Sequence, residues 1–407
     1  MSDLGKIGIF IRRPRDFFTF NELARKTNAE FIIVPDATLT VFYQGKQQIK
    51  FSGIAHIEQF MFSINTAARI YRGNLLADEK TVTDDFFSKY DILIDSQKSI
   101  FLMHPALSHK KKILYFYDNT IPGYWPTVGF SNIDLVLTTG RYFNDMLRPF
   151  ITTALVGNLY FEKKPSSPPR NFFDNFDKSK KTLLFRPTED IFDSPAGFSG
   201  AINTISDKYN VIVQLPQNQS RNKNLFSLNR RILILDDSFD VRSIANLIDI
   251  VLSDNAVTVL EWLSQNKRCV ILDAWSREFS IIYGYGKTPA IRNLEPANGL
   301  FAAQSGVEML KIIDEVIQSP VETANLFASD FFEVGSSTKV IEAINRLIAD
   351  SSAKSSSKNV LVFHPGDLAM QNFMFQYRLK NIYMQVSQIA REPILFKKIL
   401  KIIRTFF

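Results

Sequence analysis

Residues Asp249 to Asp273 read "DIVLSDNAVTVLEWLSQNKRCVILD" and hold two apolar runs around a short amphipathic one. The first apolar run ends on Ser253-Asp254-Asn255, and the second ends on Asp273. Short apolar runs rich in valine, isoleucine and leucine are typical of buried strands, so the segment predicts strand, helix, strand. Because the polar turn follows directly on a buried strand, it is a candidate binding position.

The same alternation of strand and helix occurs along the whole chain. Strand candidates in the first half are "KIGIFI", "AEFIIVP", "YDILID", "KKILYFY", "IDLVLTT" and "TTALVG". Those in the second half are "KTLLFRP", "YNVIVQLP", "RRILILDD", "DIVLSD" and "RCVILD". Helix candidates lie between them, including residues 56–72 and "RYFNDMLRPF" after Gly140. The pattern predicts an α/β fold with a mostly parallel, Rossmann-like sheet in each half.

Length and two polar segments predict the domain boundaries. A chain of 407 residues exceeds what one hydrophobic core usually serves. The proline-, serine- and lysine-rich segment 162–181 predicts a linker, and "SSAKSSSK" at 351–358 predicts a second break. We therefore expect an N-terminal domain over 1–161, a second domain over 182–350 and a C-terminal helical segment over 359–407.

Composition favours a soluble cytoplasmic protein with an anionic partner. The net charge is +7 and the pI is near 9.2, which suits a nucleotide, a phospholipid or a nucleic acid, although a solvated basic surface is the simpler alternative. No nucleic-acid-binding motif is present, so we expect no nucleic-acid partner. Cys269 is the only cysteine, which excludes an internal disulfide. Neither a signal peptide nor a transmembrane run is present, and no metal-ligand spacing occurs, so we predict no metal.

A cleft between the two predicted domains is the expected ligand site, because parallel sheets bind ligands beyond the carboxyl ends of their strands. Ser253, Asp254 or Asn255 can serve as N-cap for a helix beginning near Ala256. Free backbone N–H groups in its first turn, together with Thr258, would suit a phosphate. The alternative is an ordinary turn whose cap is satisfied within the chain.

The "SDN" turn, the helix carrying Glu261 and the strand "NKRCVILD" resemble the donor-nucleotide segment of GT-B glycosyltransferases. The likeness is greater to the branch containing CDP-glycerol glycerophosphotransferases and bacterial Kdo transferases. Segments in the order of that family are "IDLVLTTGRYFNDML", "ALVGNLYFE", "KTLLFRPTED" and "YNVIVQLPQNQS". The resemblance covers roughly residues 130–275. It implies an acceptor-side first domain, a nucleotide-donor second domain, and a nucleotide-activated sugar as substrate without a further cofactor.

The chain departs from the family pattern after the strand "VIVQL". Leu215-Pro216 stands where glycerophosphotransferases have a histidine-proline pair, and the loop offers Gln214, Asn218 and Ser220 as donor contacts. The missing histidine argues against phosphotransfer, and the surplus of basic residues suits a donor that carries a carboxylate. The favoured function is therefore transfer of a sugar from a CMP-Kdo-type donor to a lipid-linked glycan in O-antigen or capsule synthesis.

Sugar transfer needs a carboxylate near the anomeric carbon and cationic groups at the departing phosphate. Asp236, Asp237 and Glu162 qualify as base or nucleophile, although paired acids at a strand end are also common solvated turn residues. Arg186 is the candidate cation for a donor phosphate or carboxylate, with a surface salt bridge as the alternative. His104 is a candidate base in the first domain, or a structural histidine before a proline turn.

Three other functions remain open at this point. They are a CDP-glycerol-type glycerophosphotransferase, a sugar-nucleotide epimerase and a non-catalytic nucleotide- or glycan-binding protein. The last thirteen residues, "LFKKILKIIRTFF" at 395–407, predict a basic amphipathic helix. Such a helix can bind the inner face of the cytoplasmic membrane, or it can pack on the first domain.

Overall fold

The computed structural model describes somewhat less than half of the first predicted domain and about two thirds of the second. The described residues are 4–11, 14–33, 74–75, 89–96, 110–117, 133–148, 151–162, 173, 176–187, 194–216, 222–226, 232–236, 239–272, 301–319 and 328–353. The predicted helix over 56–72 and the C-terminal segment 359–407, with its membrane helix, lie outside these residues.

The first sheet has seven strands, and every strand pair in it is parallel. Its strands are β1 (Ile7–Ile11), β2 (Glu30–Ile33), β3 (Asn74–Leu75), β4 (Ile92–Asp95), β5 (Lys111–Phe116), β6 (Leu135–Thr138) and β7 (Thr153–Leu155). They lie in the order β3-β2-β1-β4-β5-β6-β7. Helices α1 (Pro14–Thr27) and α2 (Arg141–Leu147) follow β1 and β6.

Apolar residues of β1 and α1 form much of the core of the first sheet. All five residues of β1 are buried, as expected for a strand covered on both faces. On α1, Phe17, Phe20 and Leu23 recur every three residues and belong to the core of the first sheet. The Phe20 ring lies edge-on to Tyr115 of β5, with centroids 5.4 Å apart. These side chains pack α1 against the first sheet.

The second sheet has six parallel strands and a hydrophobic core of its own. The elements are β8 (Thr182–Phe185), α3 (Ser194–Ile205), β9 (Asn210–Leu215), β10 (Ile232–Asp236), β11 (Ile250–Ser253), α4 (Ala256–Leu263), β12 (Arg268–Leu272), β13 (Phe301–Ala303) and α5 (Gly306–Gln318). The strand order is β10-β9-β8-β11-β12-β13. Two separate parallel sheets confirm the predicted fold class.

The last described helix, α6 (Ser337–Ala353), packs on the first sheet, although it follows the second in sequence. Val340, Ala343 and Ile344 of α6 belong to the first core. The chain returns through a parallel bridge between Asn158 and Val334. The range 182–350 predicted for the second domain therefore includes a helix of the first core, and α6 continues into the predicted break at 351–358.

Each apolar run that was predicted as a strand contains one. β3 and β13 were not predicted, because two or three residues are too few for a readable pattern. Within the described part of the chain, no helix is both long enough and apolar enough to cross a bilayer.

Candidate functional site

The strand order of the first sheet reverses between β1 and β4, which is where parallel sheets form ligand crevices. Arg15 and Asp16 lie in the first turn of α1, directly after β1, and Ser96 follows β4. Asp16 is only 1% exposed, and its carboxylate accepts hydrogen bonds from the Ser96 hydroxyl at 3.2 Å and the Tyr117 hydroxyl at 3.3 Å. This switch point therefore holds a buried carboxylate.

The corresponding switch point of the second sheet lies between β8 and β11. Arg186 follows β8, and Ser253 ends β11. The Ser253 hydroxyl donates to the backbone carbonyl of Arg186 at 2.6 Å, and the Arg186 N–H donates to the Leu252 carbonyl at 2.8 Å. Two residues predicted to contact the donor thus lie side by side at the crevice of the second sheet.

The turn after β11 is capped from within the chain. Asn255 is the N-cap of α4, and its side-chain oxygen accepts from the N–H groups of Val257 at 2.8 Å and Thr258 at 3.2 Å. The Asn255 N–H donates to the Ser253 hydroxyl at 3.1 Å. The N–H groups that we expected to be free for a phosphate are therefore bonded to Asn255. A phosphate at this helix end would have to displace that side chain or be held by side chains.

Glu261 lies on α4 and its side chain is fully buried. The Arg15 guanidinium donates to its Oε1, and the Asn158 side-chain amide donates to the same oxygen at 3.0 Å. Burial alone would lower the pKa of Arg15, but the Glu261 carboxylate raises it above its ordinary value. Glu261, predicted to contact the donor, instead forms a buried ion pair that connects α1 to α4.

Tyr160 lies between Arg15 and a second arginine, Arg242. The Tyr160 ring lies 4.8 Å from the Arg15 guanidinium carbon and 4.3 Å from that of Arg242. The Arg242 Nε donates to both carboxylate oxygens of Asp240, at 2.8 and 3.1 Å. A second nitrogen of Arg242 donates to the Tyr160 carbonyl. Tyr160, which lies in the chain between the two sheets, is thus in contact with both Arg15 and Arg242.

Glu162 lies apart from these groups. Its carboxylate accepts from the Lys26 ammonium at 2.9 Å and from the Ser337 hydroxyl. Lys26 is in the last turn of α1, whereas Arg15 is in the first, which separates them by about 16 Å along the helix axis. In this structure Glu162 connects α1 to α6, and the switch-point residues are not among its partners.

The other predicted residues are distributed as follows. Gln214 is buried in β9 and its amide donates to the Phe239 carbonyl at 2.9 Å. Asp236 ends β10, where its backbone pairs with Leu215, and Asp254 is half-buried in the capped turn. Asp237, His104, Asn218 and Ser220 lie outside the described residues. No three histidine, cysteine, aspartate or glutamate side chains in the described ranges are grouped as metal ligands.

Sequence reasoning missed the residues at the first switch point. A signal for Arg15 and Asp16 exists, because "RRPRD" directly follows the first predicted strand and strand ends form the crevice. No local signal exists for the contact of Arg15 with Glu261, which are 246 residues apart.

Comparisons with known proteins agree with this architecture. A protein from Listeria monocytogenes assigned as a UDP-N-acetylglucosamine 2-epimerase is 10% identical, with a TM-score of 0.59 over 88% of this chain and 100% of that one. The UDP-GlcNAc 2-epimerase from Neisseria meningitidis, solved with UDP-GlcNAc, is 11% identical, with a TM-score of 0.56 over 85% and 100%. The wall teichoic acid polymerase TagF, solved with CDPG, is 11% identical, with a TM-score of 0.55 over 86% and 91%.

These values show a shared GT-B-like two-domain fold. No protein-family model matches the chain, and no curated protein is similar enough in sequence to count as a relative.

Proposed function

We propose that the chain is an enzyme that binds a nucleotide-activated sugar at the switch point of the second sheet. The observation that carries this proposal is the contact of Arg186 with Ser253 at that crevice. In open parallel sheets this crevice receives the ligand, and an arginine there can bind a phosphate or carboxylate through two hydrogen bonds.

The favoured reaction is transfer of the sugar to a lipid-linked glycan during surface polysaccharide synthesis. The favoured donor is of the CMP-Kdo type, because Leu215 and Pro216 replace the histidine-proline pair of the glycerophosphotransferases. Asp236 and Asp237 remain the proposed base or nucleophile. Conversion of either to its amide should lower turnover at least ~100-fold if it has that role.

A second candidate is epimerisation of a UDP-linked sugar. Two of the structures with this fold are described as UDP-N-acetylglucosamine 2-epimerases. Incubation with the sugar nucleotide alone distinguishes sugar transfer from epimerisation, because a transferase needs an acceptor to release nucleotide. An epimerase converts the sugar without one.

The binding test is calorimetric titration of the full chain with CMP, CDP and UDP. We expect Arg186→Ala to weaken nucleotide binding at least ~10-fold, because a hydrogen bond to a charged group typically contributes about 1.5–3 kcal/mol. Arg25→Ala is the matched control, since Arg25 is an exposed arginine that bonds to Glu22 of the same helix. Tightest binding of UDP would contradict the CMP preference, and no binding of any nucleotide would contradict the proposed function.

A further inference from the structure

A groove in the first domain lies between α2, β7 and α6 and has a volume of about 430 Å³. β7 lines one side of it, Arg148 lies at the end of α2, and Lys339, Glu342, Ala343 and Arg346 line the α6 side. We refer to this cavity as the α6 groove. None of the switch-point residues lines it, so it is a separate feature from the nucleotide site.

The charge of the groove is unbalanced. Its lining contains three cations and one carboxylate, a net charge of +2. Glu342 lies 3.7 Å from Arg346 on the next turn of the helix, so these two charges compensate each other. Arg148 and Lys339 have no ion-pair partner among the residues that the structure describes. Two uncompensated cations therefore line one cavity from two different helices.

The position of Lys339 does not serve the stability of α6. Lys339 is the third residue of the helix, and the first turn contains no acidic residue. A cation near a helix N-terminus is opposed by the helix dipole. Ala343 follows one turn later on the same face and also lines the groove. An anionic ligand in the groove would give Lys339 the partner that its own helix does not.

The size and spacing of the groove restrict that ligand. Lys339 and Arg346 are seven residues apart, two turns on one face of α6, or about 10 Å. A cavity of this volume exceeds what a lone phosphate fills and falls in the range of small-molecule sites. The lining also contains apolar and hydroxyl groups from Thr153, Ala154 and Leu155. These properties suit an anion attached to a polyol or sugar.

We propose that the α6 groove binds a phosphate ester, with Arg148 and Lys339 at the phosphate and the organic part against β7. The ester can come from a soluble phosphorylated sugar or polyol, or from the headgroup of an anionic lipid. This proposal does not depend on nucleotide binding, because its residues and those of the switch points are different.

The test uses the full chain and the double variant Arg148→Glu/Lys339→Glu. Both residues are exposed, so the variant should fold, which its melting temperature verifies. Lys178→Glu/Lys311→Glu is the control, because it makes the same change in net charge at exposed positions near and on the second domain. The soluble probes are glycerol 3-phosphate and neutral glycerol. The vesicle probes are phosphatidylglycerol and phosphatidylcholine.

We expect glycerol 3-phosphate or phosphatidylglycerol to bind the natural chain. The groove variant should bind the same probe at least ~20-fold more weakly, because each exposed ion pair contributes up to roughly fivefold in affinity and charge reversal adds repulsion. The control should lose less than about threefold. Binding of glycerol 3-phosphate identifies a soluble ester, and binding only to phosphatidylglycerol vesicles identifies a lipid headgroup.

Three results would overturn the proposal: no binding of either phosphate probe, equal binding of glycerol, or equal loss in the control variant. Nucleotide titration of the groove variant distinguishes failure of this proposal from failure of the proposed function. CMP, CDP and UDP should bind it as they bind the natural chain.

Discussion

Removal of the charge on Glu261 tests whether the buried ion pair holds the two domains together. In Glu261→Gln the Arg15 guanidinium stays charged but loses its counter-ion, with its side chain only 16% exposed. Loss of one partner of a buried ion pair typically costs about 3–5 kcal/mol. Because glutamine can still accept the hydrogen bond from Asn158, we expect the lower end of that range.

The expected change in melting temperature follows from chain length. The entropy of unfolding is about 2.1 cal/mol/K per residue, or roughly 0.85 kcal/mol/K for 407 residues. A loss at the lower end of that range, about 3 kcal/mol, therefore corresponds to a decrease of ~3–4 °C in Glu261→Gln. Differential scanning calorimetry at pH 7 measures this decrease directly. Glu22→Gln is the control, because Glu22 pairs with the exposed Arg25 and should cost less than about 1 kcal/mol.

A double-mutant cycle with Arg15→Met isolates the pair. Methionine fills much of the arginine volume without charge, so Arg15→Met/Glu261→Gln leaves no unpaired ion. We expect the double variant to be more stable than the sum of the single losses predicts, by at least ~2 kcal/mol. A decrease below about 1 °C in Glu261→Gln, or additive losses in the double variant, would refute the inference that this pair joins the domains.

Four further predictions concern single positions. Gly157 has φ of +82°, and an added Cβ would lie 2.4 Å from a carbonyl oxygen, so Gly157→Ala should lower the free energy of unfolding by roughly 2–3 kcal/mol in urea titration. Gly200→Ala, inside α3 with open space around the new methyl group, should raise it by about 0.5–1 kcal/mol, and a loss there would contradict the account. Burial raises the pKa of Glu30, but hydrogen bonds from a lysine and a tyrosine and the charges of two lysines outweigh burial and lower it to about 2. Because that pKa is depressed in the folded state, Glu30→Gln should lower the free energy of unfolding by ~1 kcal/mol above pH 4.5. The difference in stability between the variant and the natural chain should shrink as the pH falls towards 2. A melting-temperature difference that is constant with pH would contradict this expectation. Burial also raises the pKa of the Cys269 thiol, so a thiol reagent should label the native chain at least ~100-fold more slowly than the chain in urea, and equal rates would show that the thiol is accessible.

Much of the fold could be predicted because buried parallel strands have a strong local signal. β1 and β11 are continuous apolar runs, and any structure that leaves them exposed would lose the hydrophobic contribution of every residue. The end of each strand is also visible in sequence, where polar residues such as Ser253 begin. Because the carboxyl ends of parallel strands form the crevice, Arg186 and Ser253 could be assigned to one edge without knowledge of the strand order.

The remaining parts of the site were decided by contacts between distant segments. Asn255 is recognisable as a cap, but only its conformation shows that its side chain occupies the N–H groups that a phosphate would need. Glu261 is recognisable as an acid on the second domain's helix, but its partner Arg15 comes from the first domain. Packing of α6 likewise depends on a return of the chain after the second sheet.

For this chain, the apolar periodicity of the sequence by itself determined two parallel sheets and the strand ends at which a ligand would bind. Only the tertiary structure decided that Glu261 is neutralised by Arg15, that Glu162 pairs with Lys26 at the other end of α1, and that α6 completes the first core. The physical reason is the separation in sequence between the residues that each interaction involves. Burial of a strand depends on the residues within it, whereas an ion pair depends on where two separately folded sheets place their side chains.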